Sequence, residues 1–164
     1  MTVTAKSFRR LGTDLALTRY SGTPSAVALE AADSWGSLDL QIAAGGRNGR
    51  NGDVIDLRAS AGRENLAQAL ILRLLTKQGS LGELGHPQYG SRLVNLIGQE
   101  NNETNRHLAR LYTIEALAQE TRVREVTGLA VESVQAQPDT IRISFAVLPL
   151  DDDDPLELAL EVTL

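Results

Sequence analysis

Over residues 61–164 the hydrophobic period changes once, and that change points to one fold class. Leu66, Leu70 and Leu74, continued by Lys77 and flanked by Ala67, Ile71 and Leu75, recur at helical spacing, so residues 61–77 read as a helix. A second helix is predicted from a cap at Asn102 to about Gln119. Its apolar side holds Leu108, Leu111, Tyr112 and Ile114, with Glu103, Arg106 and Arg110 toward solvent. From Ile141 onward the spacing falls to two. Ile141, Ile143, Phe145 and Val147 alternate with Arg142, Ser144 and Ala146, and Leu156, Leu158, Leu160, Val162 and Leu164 alternate with Glu157, Ala159, Glu161 and Thr163. Each run is a strand with one buried face. Residues 123–134 add a third strand, with Gly128 as a candidate bulge. Gln137-Pro138-Asp139 is read as the first turn of this meander and Pro149 to Pro155 as the second. The class is α+β: two main helices packed on a small mixed or antiparallel sheet that ends in a three-stranded antiparallel meander.

The amino-terminal third is less patterned. Residues 13–20 read as a strand with Leu15 and Leu17 on one face, ended by Ser21-Gly22-Thr23-Pro24. Residues 25–36 show no clean period. Leu38 to Ile42 is a short strand, Gly45 to Gly52 a flexible loop, and Asp53 to Leu57 the return strand of a long hairpin. Ser60 is placed as the cap of the first helix and Gly79 at its C′ position, and Ser91 to Gly98 forms a short helix closed by glycine. No internal repeat is visible. With 164 residues the expected organisation is one domain, 1–164.

Several function classes are disfavoured. Without cysteine there is neither a disulfide nor a thiolate metal site. No apolar run has the length of a membrane span, and no apolar region follows Lys6, Arg9 and Arg10 as in a signal peptide, so synthesis in the cytoplasm is expected. The net charge of −5 comes from one tract, Asp151–Asp154, without which acids and bases nearly balance. There is no basic face for nucleic acid, and aromatic stacking platforms are scarce. His86 and His107 form no ligand-spaced pair, so neither a metal nor a cofactor is expected. Contiguous aspartates do not supply the spaced ligands of a calcium loop, and the tract is read as a solvated hairpin tip. Glu83, Glu100, Glu115 and Glu120 offer carboxylates for a glycosidase, but nothing in the spacing places two of them across a cleft.

Three features point to architecture rather than catalysis. Between the first helix and the short one lies a glycine-spaced loop, Gly79 to Ser91, carrying His86-Pro87 and Tyr89-Gly90-Ser91 with no nucleophile and base. Glu120-Thr121-Arg122 stands at the junction of the second helix and the first meander strand, where the two charges can pair with each other or clamp a partner's backbone. Leu160, Val162 and Leu164 face inward on a strand with no tail after it. At the side of the sheet such a strand is a template for another chain; between two neighbours it is not.

These residues together resemble the baseplate wedge proteins of contractile phage tails, the baseplate protein W group, with relatives in type VI secretion and extracellular injection systems. The shared phrases are Leu75-Thr76-Lys77-Gln78-Gly79, then Pro87-Gln88-Tyr89-Gly90-Ser91-Arg92-Leu93, then Glu120-Thr121-Arg122-Val123, with Phe8 and Gly12-Thr13-Asp14-Leu15 upstream. The likeness spans roughly residues 8–147. It implies a small α+β subunit, in six copies around the tube and hub, that contacts other wedge subunits and accepts sheath strands into its sheet to template the first sheath ring. Glu120, Arg122 and Tyr89, with Leu160, Val162 and Leu164, are then the expected partner contacts, in a particle assembled after cytoplasmic synthesis. Thr121 departs from the proline usual in that turn, and segments 22–36 and 43–52 look like insertions. Some relatives carry a lysozyme label. A peptidoglycan-cleaving enzyme and a soluble adaptor domain are therefore the alternative readings.

Overall fold

The computed structural model describes residues 11–17, 20–21, 26–29, 40, 42–44, 55–150 and 152–164. Its largest element is a five-stranded sheet ordered β2(Tyr20–Ser21), β3(Ala26–Leu29), β9(Leu156–Thr163), β8(Gln137–Pro149), β7(Val123–Val134). The pairs β7–β8 and β8–β9 form the expected antiparallel meander, and β3 joins β9 in parallel, which makes the sheet mixed. Two short antiparallel pairs accompany it: β1(Thr13–Leu15) with β6(Ala59–Ala61), and β4(Ile42–Ala44) with β5(Ile55–Leu57).

The two-residue period fixes which face of the sheet is covered. Ile141, Ile143 and Val147 of β8, with Leu156, Leu158 and Val162 of β9, are buried. Against them pack Leu66, Leu70, Ile71 and Leu74 of α1(Arg63–Leu75) and Ala109, Ala116 and Leu117 of α2(Glu103–Ala118). Burying a side chain of this size contributes about 1.5–3 kcal/mol, so this one layer of contacts dominates the stability. On the open face Arg142 of β8 meets Glu161 of β9 across the strands at 2.5 Å. Gly128 is the bulge: Thr127 pairs with Ala146 and Ala130 with Ser144, so β7 carries one residue more than β8, and Gly128 takes φ +62°.

Several local expectations are corrected. Ser60 does not cap α1. It lies in β6 opposite Asp14, and the cap is Gly62 at φ 62° and ψ −130°, a conformation closed to most side chains. The helix ends at Leu75 because Thr76 turns extended (φ −84°, ψ 131°), so Gly79 is not its C′ residue and Lys77 lies beyond it, exposed. Ser91 to Gly98 contains only a short 3-10 turn, Leu93–Leu96. The β7–β8 turn is Gln135-Ala136, because Val134 already pairs with Gln137, and Pro138 is inside β8. On α2, Asn102 caps as expected, accepting from the Asn105 amide at 2.9 Å. Leu111 and Ile114, however, are 46% and 40% exposed; the buried side is Ala109, Thr113, Ala116 and Leu117.

The first strand stops at Leu15, which is exposed, and the chain there is held by side chains of α1. Asn65 Nδ2 donates to Leu11 O at 2.8 Å, Gln68 Nε2 donates to Leu15 O at 2.7 Å, and Gln68 Oε1 accepts from Leu17 N at 2.9 Å. Most of the expected insertions at 22–36 and 43–52 lie outside the described residues, as do Phe8, most of the predicted strand 38–42, and Asp53 and Val54 of its return strand. No helix among the described residues is long and apolar enough to cross a membrane.

Candidate partner-contact site

The loop after α1 is pinned by backbone bonds. Gln78 N donates to Ser91 O at 2.9 Å and Ser91 N to Thr76 O at 2.8 Å, closing a parallel bridge between Lys77 and Ser91. Gly90 passes against this bridge at φ +107°, and a Cβ there would sit 2.6 Å from Thr76 O and 2.8 Å from Gln78 N. Glycine is required on both counts, backbone angle and space. The outcome is a fixed placement for Tyr89, its neighbour.

Tyr89 lies under the guanidinium of Arg73, 4.5 Å from ring centroid to Cζ. Arg73 projects from the last turn of α1 toward the end of α2, where Glu120 follows the helix and donates its N–H to Leu117 O. Glu120 is 7% exposed. Its carboxylate is gripped in a fork by Arg122, with Nε to Oε1 at 2.8 Å and Nη2 to Oε2 at 3.1 Å; Arg73 Nη2 reaches Oε2 only at 3.3 Å. Arg122 Nη1 also donates to Leu11 O at 3.0 Å, tying the amino-terminal segment into the corner.

The charges of this corner are set by that geometry. Burial pushes the Glu120 carboxyl up, but the hydrogen bonds and charge of Arg122 and the charge of Arg73 outweigh it and hold the group below its ordinary range. Tyr89 moves the other way: burial raises its hydroxyl, against the opposing charges of Arg73 and Arg122. Tyr89 also separates two grooves. One is lined by Arg73, His86, Gln88 and Gln119, the other by Thr13, Asp14, Gln68 and Arg122.

Of the residues singled out in the sequence, Glu120, Arg122 and Tyr89 thus form one corner. Leu160, Val162 and Leu164 do not join it. Their side chains are 7%, 2% and 7% exposed and belong to the core, so only backbone of β9 is available to a partner. Leu164 N donates to Asp139 O, which points the even-numbered amides of β9 toward β8 and those of Glu161 and Thr163 to the opposite flank. On that flank β3 pairs with residues 157–159, and among the described residues no strand pairs with Glu161 or Thr163. Among the described residues the first half of β9 is therefore sandwiched, and its second half has a neighbouring strand, β8, on one side alone.

Arg73 is the participant that periodicity did not reveal. The signal was present: it is the only charge in the run Leu66–Leu75. The aspartate tract is also corrected, for Asp152 is buried and accepts from Arg63 Nη1 at 2.5 Å, while Asp153 stays exposed and Asp151 lies outside the described residues. Glu83 and Glu100 are exposed, and Glu115 is paired with Arg92. His86 lines a groove, His107 is exposed on α2, and among the described residues no group of three or more His, Cys, Asp or Glu could hold a metal ion.

No family model matches the chain, and no curated protein matches it in sequence. Among solved structures, the crystal structure of a presumptive tail lysozyme from Geobacter sulfurreducens superposes with a TM-score of 0.55 at 19% identity, covering 64% of this chain and 93% of that one. The protein thus shares its fold with a protein named for a tail.

Proposed function

We propose that the chain is a structural subunit of a contractile tail or injection baseplate, linking the wedge to the sheath and templating the first sheath ring by strand addition. One observation carries this reading: the N–H and C=O groups of Glu161 and Thr163 turn away from β8, and no strand among the described residues pairs with them. Outward-facing ladder groups beside a well-packed core can accept an extended segment, and each ring copy multiplies the gain through effective concentration. The fold shared with a tail protein and the ordered phrases around Gly79, Tyr89 and Glu120 support the same reading. The Glu120–Arg122 corner with Tyr89 is the proposed contact to the other wedge subunits.

The name of the structural neighbour favours a second reading, cleavage of peptidoglycan. A glycosidase acid needs a carboxyl held protonated near neutral pH. Glu120, the buried glutamate of the corner, is held in the opposite sense by Arg122 and Arg73. A turbidity assay on cell walls separates the two: lysis lost in Glu120→Gln would establish the enzyme.

Thr163→Pro tests the strand role. Its N–H faces away from β8, so proline removes the outward donor and spares the internal ladder. The variant should fold, bind its wedge partners on size exclusion, and yield baseplates without sheath in electron micrographs. Full-length sheaths would overturn the assignment of this flank. A wild-type chain that binds neither sheath nor wedge proteins would instead be an adaptor.

A further inference from the structure

The corner holds more positive charge than its carboxylate can use. Glu120 offers one carboxyl group, and Arg122 already occupies it in fork geometry. Arg73 takes what remains at 3.3 Å, and its Nε is buried with no hydrogen-bond partner. Its Nη1 likewise makes no hydrogen bond among the described residues. Asp14, the other acid near Tyr89, lines the far groove, on the Arg122 side. The near groove, beside Arg73, is lined by His86, the amides of Gln88 and Gln119 and the ring of Tyr89, with no carboxylate among them. A guanidinium that is 11% exposed, stacked on an aromatic face and left with unused donors is an unfinished ion pair.

We infer that this groove is a binding site for a carboxylate on a partner protein, an acidic side chain that completes the coordination of Arg73. The stacked Tyr89 ring fixes the plane of the guanidinium, which suits a planar carboxylate better than a point charge would. Gln88 and Gln119 line the same groove and bring neutral amide donors to it. The inference deepens the wedge-contact reading of this corner by naming the partner's chemistry and by making Arg73, not Arg122, the group that meets it. Arg122 is consumed internally by Glu120 and Leu11 O.

The test uses the isolated full chain and a short poly-glutamate peptide, followed by the NMR signals of the Arg73 side chain and the Tyr89 ring. Saturable shifts at both are expected, weakening with salt, with none from poly-glutamine. Arg73→Lys keeps the charge but loses the fork and should bind about tenfold more weakly. Gln119→Glu places a fixed carboxylate in the groove and should abolish binding. Arg142→Gln, on the open face of the sheet, should bind like wild type. Absence of a shift at Arg73, equal affinity in Arg73→Lys, or an equal loss in Arg142→Gln would overturn the inference. If Arg73→Lys does not fold, unchanged affinity in Gln119→Glu overturns it. The wedge reading fails separately: it falls if the wild-type chain does not bind its wedge partners on size exclusion, whatever the peptide does.

Discussion

Arg63 and Asp152 meet at 2.5 Å, and Asp152 is 4% exposed. The guanidinium also donates to Asp154 O at 2.8 Å and Pro155 O at 2.7 Å, so the first residue of α1 clasps the β8–β9 connection. Removing one partner of a buried pair strands the other. Asp152→Ala should therefore cost about 3 kcal/mol in urea unfolding. Asp153, whose side chain is 90% exposed opposite Arg124, should cost less than about 1 kcal/mol when replaced by alanine. Equal losses would mean that the clasp contributes nothing.

Gly90→Ala should be among the most damaging single-methyl changes in the chain. It combines a φ of +107° with a Cβ 2.6 Å from a backbone oxygen that cannot move without breaking the Thr76–Ser91 bridge. A loss of about 2–4 kcal/mol is expected. Gly85 is the control: it has φ +85° but nothing within 4 Å, so alanine there should cost only the left-handed backbone strain, about 1–2 kcal/mol. Thermal melts of the two variants give the comparison.

Glu120 makes stability depend on acid. Its folded carboxyl titrates below the ordinary value of 4.5, so folding favours the ionised form. The contribution is complete above about pH 4.5 and is lost as pH falls through the lower folded value. Glu120→Gln should be less stable than wild type by about 2 kcal/mol at neutral pH. The gap should narrow steadily as the pH is lowered past 4.5. A gap constant with pH would show that Arg122 and Arg73 do not depress the group.

The meander was legible because alternation is a strict geometric consequence of the pleat: every residue from Ile141 to Val147 lies on the face its polarity predicts. The bulge at Gly128 was legible for a similar reason, since glycine within a strand marks a break in pairing. Ser60 misled because N-cap preference is local, whereas pairing of β6 with β1 is a long-range bond that no cap signal encodes. The Gln135-Ala136 turn was hidden because neither residue is a turn former, and Pro138 just after it drew the turn forward. At the corner, Glu120 and Arg122 were visible as neighbours in sequence. Arg73 was not, because its partners lie 47 residues downstream at Glu120 and in a loop ring at Tyr89.

The same contest explains α2, and it can be measured. Size suggested that Leu111 and Ile114 face the core, yet the helix turns Ala109, Thr113 and Ala116 inward. Small residues let its backbone approach β7 closely, and Arg110 reaches across to donate to Leu129 O at 2.6 Å, which anchors that orientation. Thr113 is tolerated inside because its hydroxyl donates to Ala109 O at 2.8 Å. Leu117 is the one large side chain of α2 that is fully buried, with Leu108 and Tyr112 half-buried against the core. Leu117→Ala should therefore cost about 3 kcal/mol in chemical denaturation. Leu111→Ala and Ile114→Ala should each fall within about 0.5 kcal/mol of wild type. A large loss at Leu111 with a small one at Leu117 would mean that α2 is rotated about its axis, and with it the placement of Glu120 at its end.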